Sequence, residues 1–300
     1  MTSEQINTIK AAAESCGCKC SENEPLSRYT TFGIGGKCPL MIEINGEECL
    51  KKLLPMMDMP FYVIGKGSNL LVSDKDIDMI FLHMGKDHSD ISLNGNVLTC
   101  KSGAALSAVS SFARDNSLTG LEFAYGIPGN IGGAIFMNAG AYGGEMKDVV
   151  QSVRAVDYRG NVCEFSADEL DFSYRHSKFS GGGYVITEAR LALSQGDKEE
   201  IAAKMAELTA KRKEKQPLEY RSAGSTFKRP QGTFAALLIE QCGLKGYSCG
   251  AAQVSEKHSG FVINKGGASF ADVMSVIGHV KETVYAKTGI MLECEPEIIE

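Results

Sequence analysis

No stretch of the chain reaches the roughly eighteen consecutive apolar residues of a membrane-crossing helix, so a helical integral membrane protein is excluded. The opening residues, MTSEQINTIKAAAESCGCKC, lack the basic start and continuous apolar run of an export signal. They read as an amphipathic helix over residues 1–18, and the expected location is the cytoplasm. Positive charge is short as well. Against 37 Asp and Glu stand 31 Lys and Arg, a formal net charge of −6, which leaves no broad basic face for nucleic acid or a membrane surface. An anionic ligand must therefore be met by local groups. The ten cysteines contain no CxxC pair, and no histidine flanks the alternating Cys16, Cys18 and Cys20, so free thiols without a metal are expected. Neither a Walker loop nor a Rossmann fingerprint is present: the third glycine position after GKG is Leu70, and the LLVSD that follows looks extended, not helical. Internal repeats and low-complexity tracts are missing too.

What remains is a chain of 300 residues, 43% hydrophobic and 23% charged, long enough for two or three domains with real cores. Two glycine-rich stretches stand out. In FYVIGKGSNLLVSD (61–74), Gly65 and Gly67 let consecutive N–H groups converge on an anion, with Ser68 and Asn69 as side-chain donors; the alternative is a plain hairpin turn. GLEFAYGIPGNIGGAIFMNAGAYGGEM (120–146) holds eight glycines. There, Gly126, Gly129, Gly132 and Gly133 around Ile127 and Pro128 suit a flat, extended, partly anionic cofactor, or else a set of tight loops between core elements.

Periodicity predicts a helix over about 104–116, a hairpin VRAVDYRGNVCEF turning at Arg159 and Gly160, and a strand over 184–193. A helix capped by Asp197, with apolar positions 201, 205 and 208, ends before Pro217 and opens a new domain. TFAALLIEQCG and SFADVMSVIGHVKETVYAKTG read as helices ending at Gly243 and Gly289, with HSGFVINKG as a strand between them. YRSAGSTFKRP (220–230) sets Ser225 between a glycine and a basic pair with no acid or histidine within four positions. Acyl nucleophile, phosphate clamp and helix cap are the uses to be told apart.

Seven motifs, YTTFGIGGK, VIGKGSNLLVSD, the 120–146 stretch, YRHSKF, RKEKQPLEYRSAGSTFKRP, LIEQCGLKGYSCGAAQVSEKHSGFVINKGG and LECEPEI, occur in the order found in the UDP-N-acetylenolpyruvoylglucosamine reductase (MurB) family. The chain resembles that family over nearly its whole length. The resemblance implies an α+β chain: an FAD-binding fold of the vanillyl-alcohol-oxidase (PCMH) type over 1–195, with subdomains at about 20–85 and 86–195, then an α+β substrate-binding domain over 196–300 whose last strand packs back on the FAD domain. It implies FAD and NADPH as cofactors and the reduction of UDP-N-acetylglucosamine enolpyruvate to UDP-N-acetylmuramate for peptidoglycan, by a monomer or weak oligomer. The short link between YRHSKF and the Asp197 helix resembles the second type of the family, which lacks an extra loop carrying a tyrosine. A flavin oxidase on the same scaffold would need a base and commonly a tethering His or Cys near the ring, and the glycine-rich stretches offer none. A UDP-sugar-binding regulator would be expected to lack Arg175, Ser225 or the flavin loops, and none is missing.

The resemblance also assigns roles. Ser225 matches the serine that protonates the carbanionic carbon left by hydride addition, Arg175 the arginine that pairs with the enolpyruvyl carboxylate, and Glu295 the carboxyl beside the developing enolate, where its pKa would be raised. Pro296 follows Glu295 where the family has an apolar strand residue, so Glu293 and Glu297 remain alternatives. FAD contacts fall on Tyr29, Thr31, Gly65, Lys66, Gly67, Ser68, Asn69, Leu70, Gly126, Ile127, Pro128, Gly129, Gly132 and Gly133. The UDP end is left to Lys215, Lys228, Arg229, Lys257 and His258. His176, next to Arg175, reads as a neighbour and not a base.

Overall fold

The computed structural model describes residues 1–300. Its helices are α1 (Ser3–Ser15), α2 (Glu47–Leu53), α3 (Leu106–Asp115), α4 (Ile131–Phe136), α5 (Lys198–Lys215), α6 (Ala235–Gln241) and α7 (Phe270–Thr288). The first strands are β1 (Lys19–Pro25), β2 (Lys37–Glu43), β3 (Phe61–Ile64), β4 (Leu70–Val72), β5 (Ile80–His83), β6 (Ile91–Asn94) and β7 (Val97–Lys101). Helix ends follow local chemistry. Thr2 and Gln5 close a reciprocal capping box on α1. Asp197 Oδ1 accepts from the N–H groups of Glu199 and Glu200 at 2.9 and 3.0 Å to start α5, and Gly289 ends α7 in the left-handed conformation.

The chain divides into two compact units interleaved along the sequence. Met1–Asn23, Pro39–Lys66 and Asp78–Lys211 make the first; Glu24–Cys38, Gly67–Ile77 and Arg212–Glu300 make the second. In the first, a sheet of order β1-β2-β5-β3 has parallel β2/β5 and β3/β5 pairs, and Ile9, Ala13, Leu50 and Leu53 of α1 and α2 bury against Leu40, Ile42, Ile80 and Leu82. A second sheet is antiparallel throughout: Val162–Ser166, Val150–Asp157, Tyr184–Ala192, β7 and β6 lie side by side, covered by the apolar faces of α3 and α4. In the second unit, α6 and α7 share a core with the antiparallel strands Ala252–Val254 and Val262–Asn264. Val273, Val276, Ile277, Val280 and Val284 of α7 are all buried. Valine is a weak helix former, so this packing, and not intrinsic preference, stabilises α7.

Two of the alternatives left open by the sequence fall away here. β3 pairs with β5 whereas β4 pairs in parallel with Glu297–Ile299, so residues 65–69 do not close a hairpin. The 120–146 stretch is not a set of loops alone: α4 lies within it, with Gly132 and Gly133 in its first turn.

α2 is tied to the antiparallel sheet by a forked ion pair. Arg154 Nε donates to Glu47 Oε2 at 2.7 Å and its Nη2 to Oε1 at 2.8 Å, while Thr187 Oγ1 donates to Oε2 at 3.1 Å. These bonds, the arginine's first, hold the Glu47 carboxyl below its ordinary pKa. A depressed carboxyl contributes stability that is present above the unfolded-state value and is lost as pH falls through the folded one. Glu47→Gln is therefore expected to lower unfolding free energy at neutral pH by about 1–2 kcal/mol, a modest figure because the pair is partly solvated. In urea titrations the gap to the parent should close as pH drops below 4.5. A constant offset across the acid range would show that the pair does not act through its charge.

Candidate active site

Ser225 lies on a segment of the second unit that is bonded along both edges. Gly224 before it has a φ of +77°, a conformation that favours glycine. Thr226 after it is buried and fully engaged: its N–H donates to Gly260 O at 2.8 Å, its Oγ1 accepts from Val262 N–H at 2.9 Å, and its carbonyl accepts from Glu295 N–H at 3.0 Å. Phe227 opposes Cys294, and Lys228 N–H donates to Glu293 O at 2.9 Å. Half-buried Ser225 is thus held in register with the Glu295–Glu297 stretch.

Asn69 binds the same stretch. Its Nδ2 donates to Glu295 O at 3.2 Å and its carbonyl accepts from Glu297 N–H at 2.9 Å, where Glu297 begins the strand paired with β4. At least one amide hydrogen of Asn69 therefore serves the protein and not a ligand. Gly67 has a φ of +56°, and a Cβ there would strike the Tyr29 carbonyl. Thr31 is committed as well: its N–H donates to Gly67 O at 3.2 Å and its Oγ1 to Ser222 O at 2.7 Å. Of the three carboxylates in LECEPEI, Glu293 has a 71% exposed side chain facing Lys228 at 3.4 Å; Glu297 is exposed and Glu295 half-buried, and the backbone of both joins the Asn69 segment.

Arg175 belongs to the first unit and occupies a two-residue turn closed by Ser173 and His176, whose N–H groups each donate to the other's carbonyl at 3.2 Å. Its φ of +55° is unusual for a long side chain, and backbone strain of this kind, about 1 kcal/mol or more, concentrates at functional sites. The guanidinium lies 5.1 Å from the Tyr174 ring centre. Buried Asn138 suspends the turn: Nδ2 donates to Ser173 O at 3.0 Å and to Glu145 Oε2 at 2.9 Å, and Oδ1 accepts from Lys147 N–H at 3.0 Å. Lys147 first, then Asn138 and the Arg175 charge, hold the Glu145 carboxyl below its ordinary pKa.

Residues 50–166 match the FAD binding domain family, and residues 216–299 match the family described as UDP-N-acetylenolpyruvoylglucosamine reductase, C-terminal domain. The UDP-N-acetylenolpyruvoylglucosamine reductase of Agathobacter rectalis is 49% identical, with 93% of each chain covered; that of Clostridioides difficile is 44% identical, with 92% of each covered. The chain belongs to the UDP-N-acetylenolpyruvoylglucosamine reductase family. The solved reductase of that name from Thermus caldophilus superposes with a TM-score of 0.82 at 34% identity, covering 94% of this chain and 99% of the other. Membership makes the chain an oxidoreductase and a flavoprotein of peptidoglycan synthesis, with the α+β architecture expected from its motifs.

The first unit has features that suit FAD. Ser102 is 1% exposed and its Oγ has no hydrogen-bond partner, although buried hydroxyls are rarely left unpaired. Its carbonyl accepts from Gly132 N–H at 2.8 Å, and a Cβ on neighbouring Gly133 would meet no atom within 4 Å. A polar group approaching this backbone closely would satisfy both. Asn130, whose Nδ2 donates to Met84 O at 3.0 Å, lines the approach to Gly65. Asn130, Asn138 and Ser102 escaped the sequence reading. Asn138 carried one readable sign, an asparagine among small residues where left-handed backbone is tolerated, with φ +44°; Ser102 carried none.

The candidate substrate-binding groups all lie in the second unit. Lys228 faces Glu293; the Arg229 guanidinium stacks 4.8 Å from the Phe234 ring centre; Lys257 Nζ donates to Lys213 O at 2.7 Å and faces Glu219 at 3.6 Å; Lys215 is exposed at the end of α5. His258 differs from these. Burial lowers its pKa, and its Nδ1 accepts from Gly260 N–H at 3.1 Å, so it offers a neutral ring with an Nε2–H donor, not a positive charge.

Proposed function

We propose that the chain reduces UDP-N-acetylglucosamine enolpyruvate to UDP-N-acetylmuramate at the expense of NADPH. The observation that carries this reading is the register that joins Ser225 to the Glu295–Glu297 stretch through Thr226 and to Asn69. FAD, when bound, supplies a hydride relay between NADPH and the enolpyruvyl group. The chain's residues do the rest. Gly65–Leu70 with Tyr29 and Thr31, and Gly126–Gly133, hold the cofactor through backbone amides and an apolar wall of Ile127 and Pro128. Arg175 pairs with the substrate carboxylate through its planar fork and stabilises negative charge there. The Ser225 hydroxyl donates the proton to the carbon beside that carboxylate, and a carboxyl of the Glu295/Glu297 pair supports the developing enolate. Lys215, Lys228, Arg229, Lys257 and the neutral His258 receive the UDP end.

Turnover of the enolpyruvyl substrate with NADPH under anaerobic conditions tests the whole reading: UDP-N-acetylmuramate should accumulate in step with NADPH loss, and no product from a folded, yellow protein would sink it. The cofactor part has a sharper test in Gly133→Ala. Alanine is the better helix former by about 0.5–1 kcal/mol and has free space here, so the apoprotein should melt higher. FAD titration of the same variant should show weaker binding, because the methyl group intrudes where the cofactor meets backbone. Undiminished FAD affinity would place the cofactor away from Gly133.

A further inference from the structure

Cys16 caps α1, and Gly17 then takes a φ of +78°, with Gly17 N–H donating to Glu14 O at 2.9 Å and Cys18 N–H to Ala13 O at 3.1 Å. This reversal turns Cys18 inward. It is 5% exposed, and its Sγ lies 3.0 Å from the Sγ of Cys49 on α2, itself 2% exposed. Asn45 fixes the arrangement: Nδ2 donates to Cys16 O at 2.9 Å, and Oδ1 accepts from the Cys18 thiol at 3.3 Å. The two sulfurs need to approach by only about 1 Å to reach a disulfide bond length. Their chemistry is matched as well. Hydrogen bonding between the pair draws the Cys18 pKa down and pushes that of Cys49 up, so Cys18 is the sulfur that ionises first while Cys49 keeps its proton. Neighbouring Cys20 is pushed up to about 11 by burial and stays a thiol.

We propose that Cys18 and Cys49 form an oxidisable dithiol, which hydrogen peroxide converts to an intramolecular disulfide and a thiol reductant restores. The Cys18 thiolate attacks one oxygen of the peroxide; the O–O bond breaks and hydroxide leaves, taking up a proton to become water. The sulfur of Cys49 then attacks the Cys18 sulfenic acid, the S–S bond forms, the S–O bond breaks, and a second water departs with the Cys49 proton. Two electrons pass from the sulfur pair to the peroxide. The bond would tie the end of α1 to α2 across a sequence separation of 31 and restrict the unfolded chain.

Treating the full-length holoprotein with hydrogen peroxide without denaturant, alkylating and digesting it should yield one cross-linked peptide pair joining Cys18 to Cys49. The intact mass should fall by two hydrogens, the melting midpoint should rise by several degrees, and dithiothreitol should reverse both changes. Cys49→Ala should abolish the cross-link and, because it removes the hydrogen bond that draws the Cys18 pKa down, should also slow peroxide oxidation of Cys18; Cys20→Ser should cross-link as the parent does. Should Cys49→Ala fail to fold, peptide mapping of the parent against Cys20→Ser still decides the matter. Preferential oxidation at Cys16 or Cys20, or full alkylation of Cys18 and Cys49 after exposed methionines have been oxidised, would overturn the proposal.

Discussion

Ser225→Ala is expected to slow reoxidation of the reduced enzyme by the enolpyruvyl substrate by at least ~10²-fold while leaving NADPH-driven loss of flavin absorbance near the parent rate. The reason lies in what each half-reaction asks of the chain. NADPH needs room to stack and no proton from the protein. In the proposed reaction the substrate half-reaction leaves a carbanionic carbon that must be protonated, and the segment carrying the Ser225 hydroxyl is held in place by the bonds of Thr226 to Gly260, Val262 and Glu295. Removing one hydroxyl group leaves all of those bonds intact, because they belong to Thr226, so the fold and the flavin site should survive the change. Ser225→Cys is the sharper companion: a thiol still donates a proton, and part of the lost rate should return. Anaerobic stopped-flow absorbance separates the two steps. If Ser225→Ala slowed both equally, or neither, Ser225 would be a packing residue and the proton would come from a neighbouring carboxyl or water.

How much of this was readable from the sequence depended on range. α5 was readable because its signals are local: the Asp197 cap, apolar positions at Ile201, Met205 and Leu208 that are all buried, and Pro217 just beyond its end. So was the Asp157–Asn161 turn, where Asp157 Oδ1 accepts from Arg159 and Asn161 N–H at 2.9 and 2.8 Å. The pairing of β4 with Glu297–Ile299 was not visible in local pattern, since three apolar residues on one side and two on the other carry no register across more than two hundred positions; only the family motifs hinted at it. The same holds for the site. Ser225 and Arg175 are candidates singled out through motifs, but what holds them, Thr226 bonded on both edges and Asn138 under the Arg175 turn, is tertiary and left only the small-residue context of Asn138 as a trace. α4 was missed because two adjacent glycines argue against a helix locally, and its burial of Ile131, Ala134 and Ile135 overrides that preference.

The carboxylates of LECEPEI give the second large expected effect, and the backbone bonds of the last strand set two of the three, Glu295 and Glu297, beside Asn69. Glu293 accepts from Lys228 twice, at its carbonyl from the N–H and at its mostly exposed carboxylate from Nζ at 3.4 Å, so Glu293→Gln should leave kcat within about twofold of the parent, as expected for a solvated ion pair. Glu295 and Glu297 flank Pro296 and are both bonded to Asn69, one through its carbonyl and one through its N–H. A carboxyl that supports an enolate acts only in the transition state, so its loss should lower kcat and kcat/KM together. One of Glu295→Gln and Glu297→Gln is therefore expected to cost at least ~10²-fold in kcat, confined to the substrate half-reaction, with FAD content and melting midpoint near the parent's. The other should be mild. The conservative Asp variant at the sensitive position should recover little, because shortening the side chain moves the carboxyl by about the 1 Å that positioned chemistry does not forgive. A large loss at Glu293 with neither neighbour affected would shift the register of the last strand by at least two residues and detach the carboxyl from Asn69. Mild effects at all three positions would leave charge stabilisation to Arg175 alone, and Arg175→Lys, which keeps the charge and loses the fork, would then be the variant that collapses turnover.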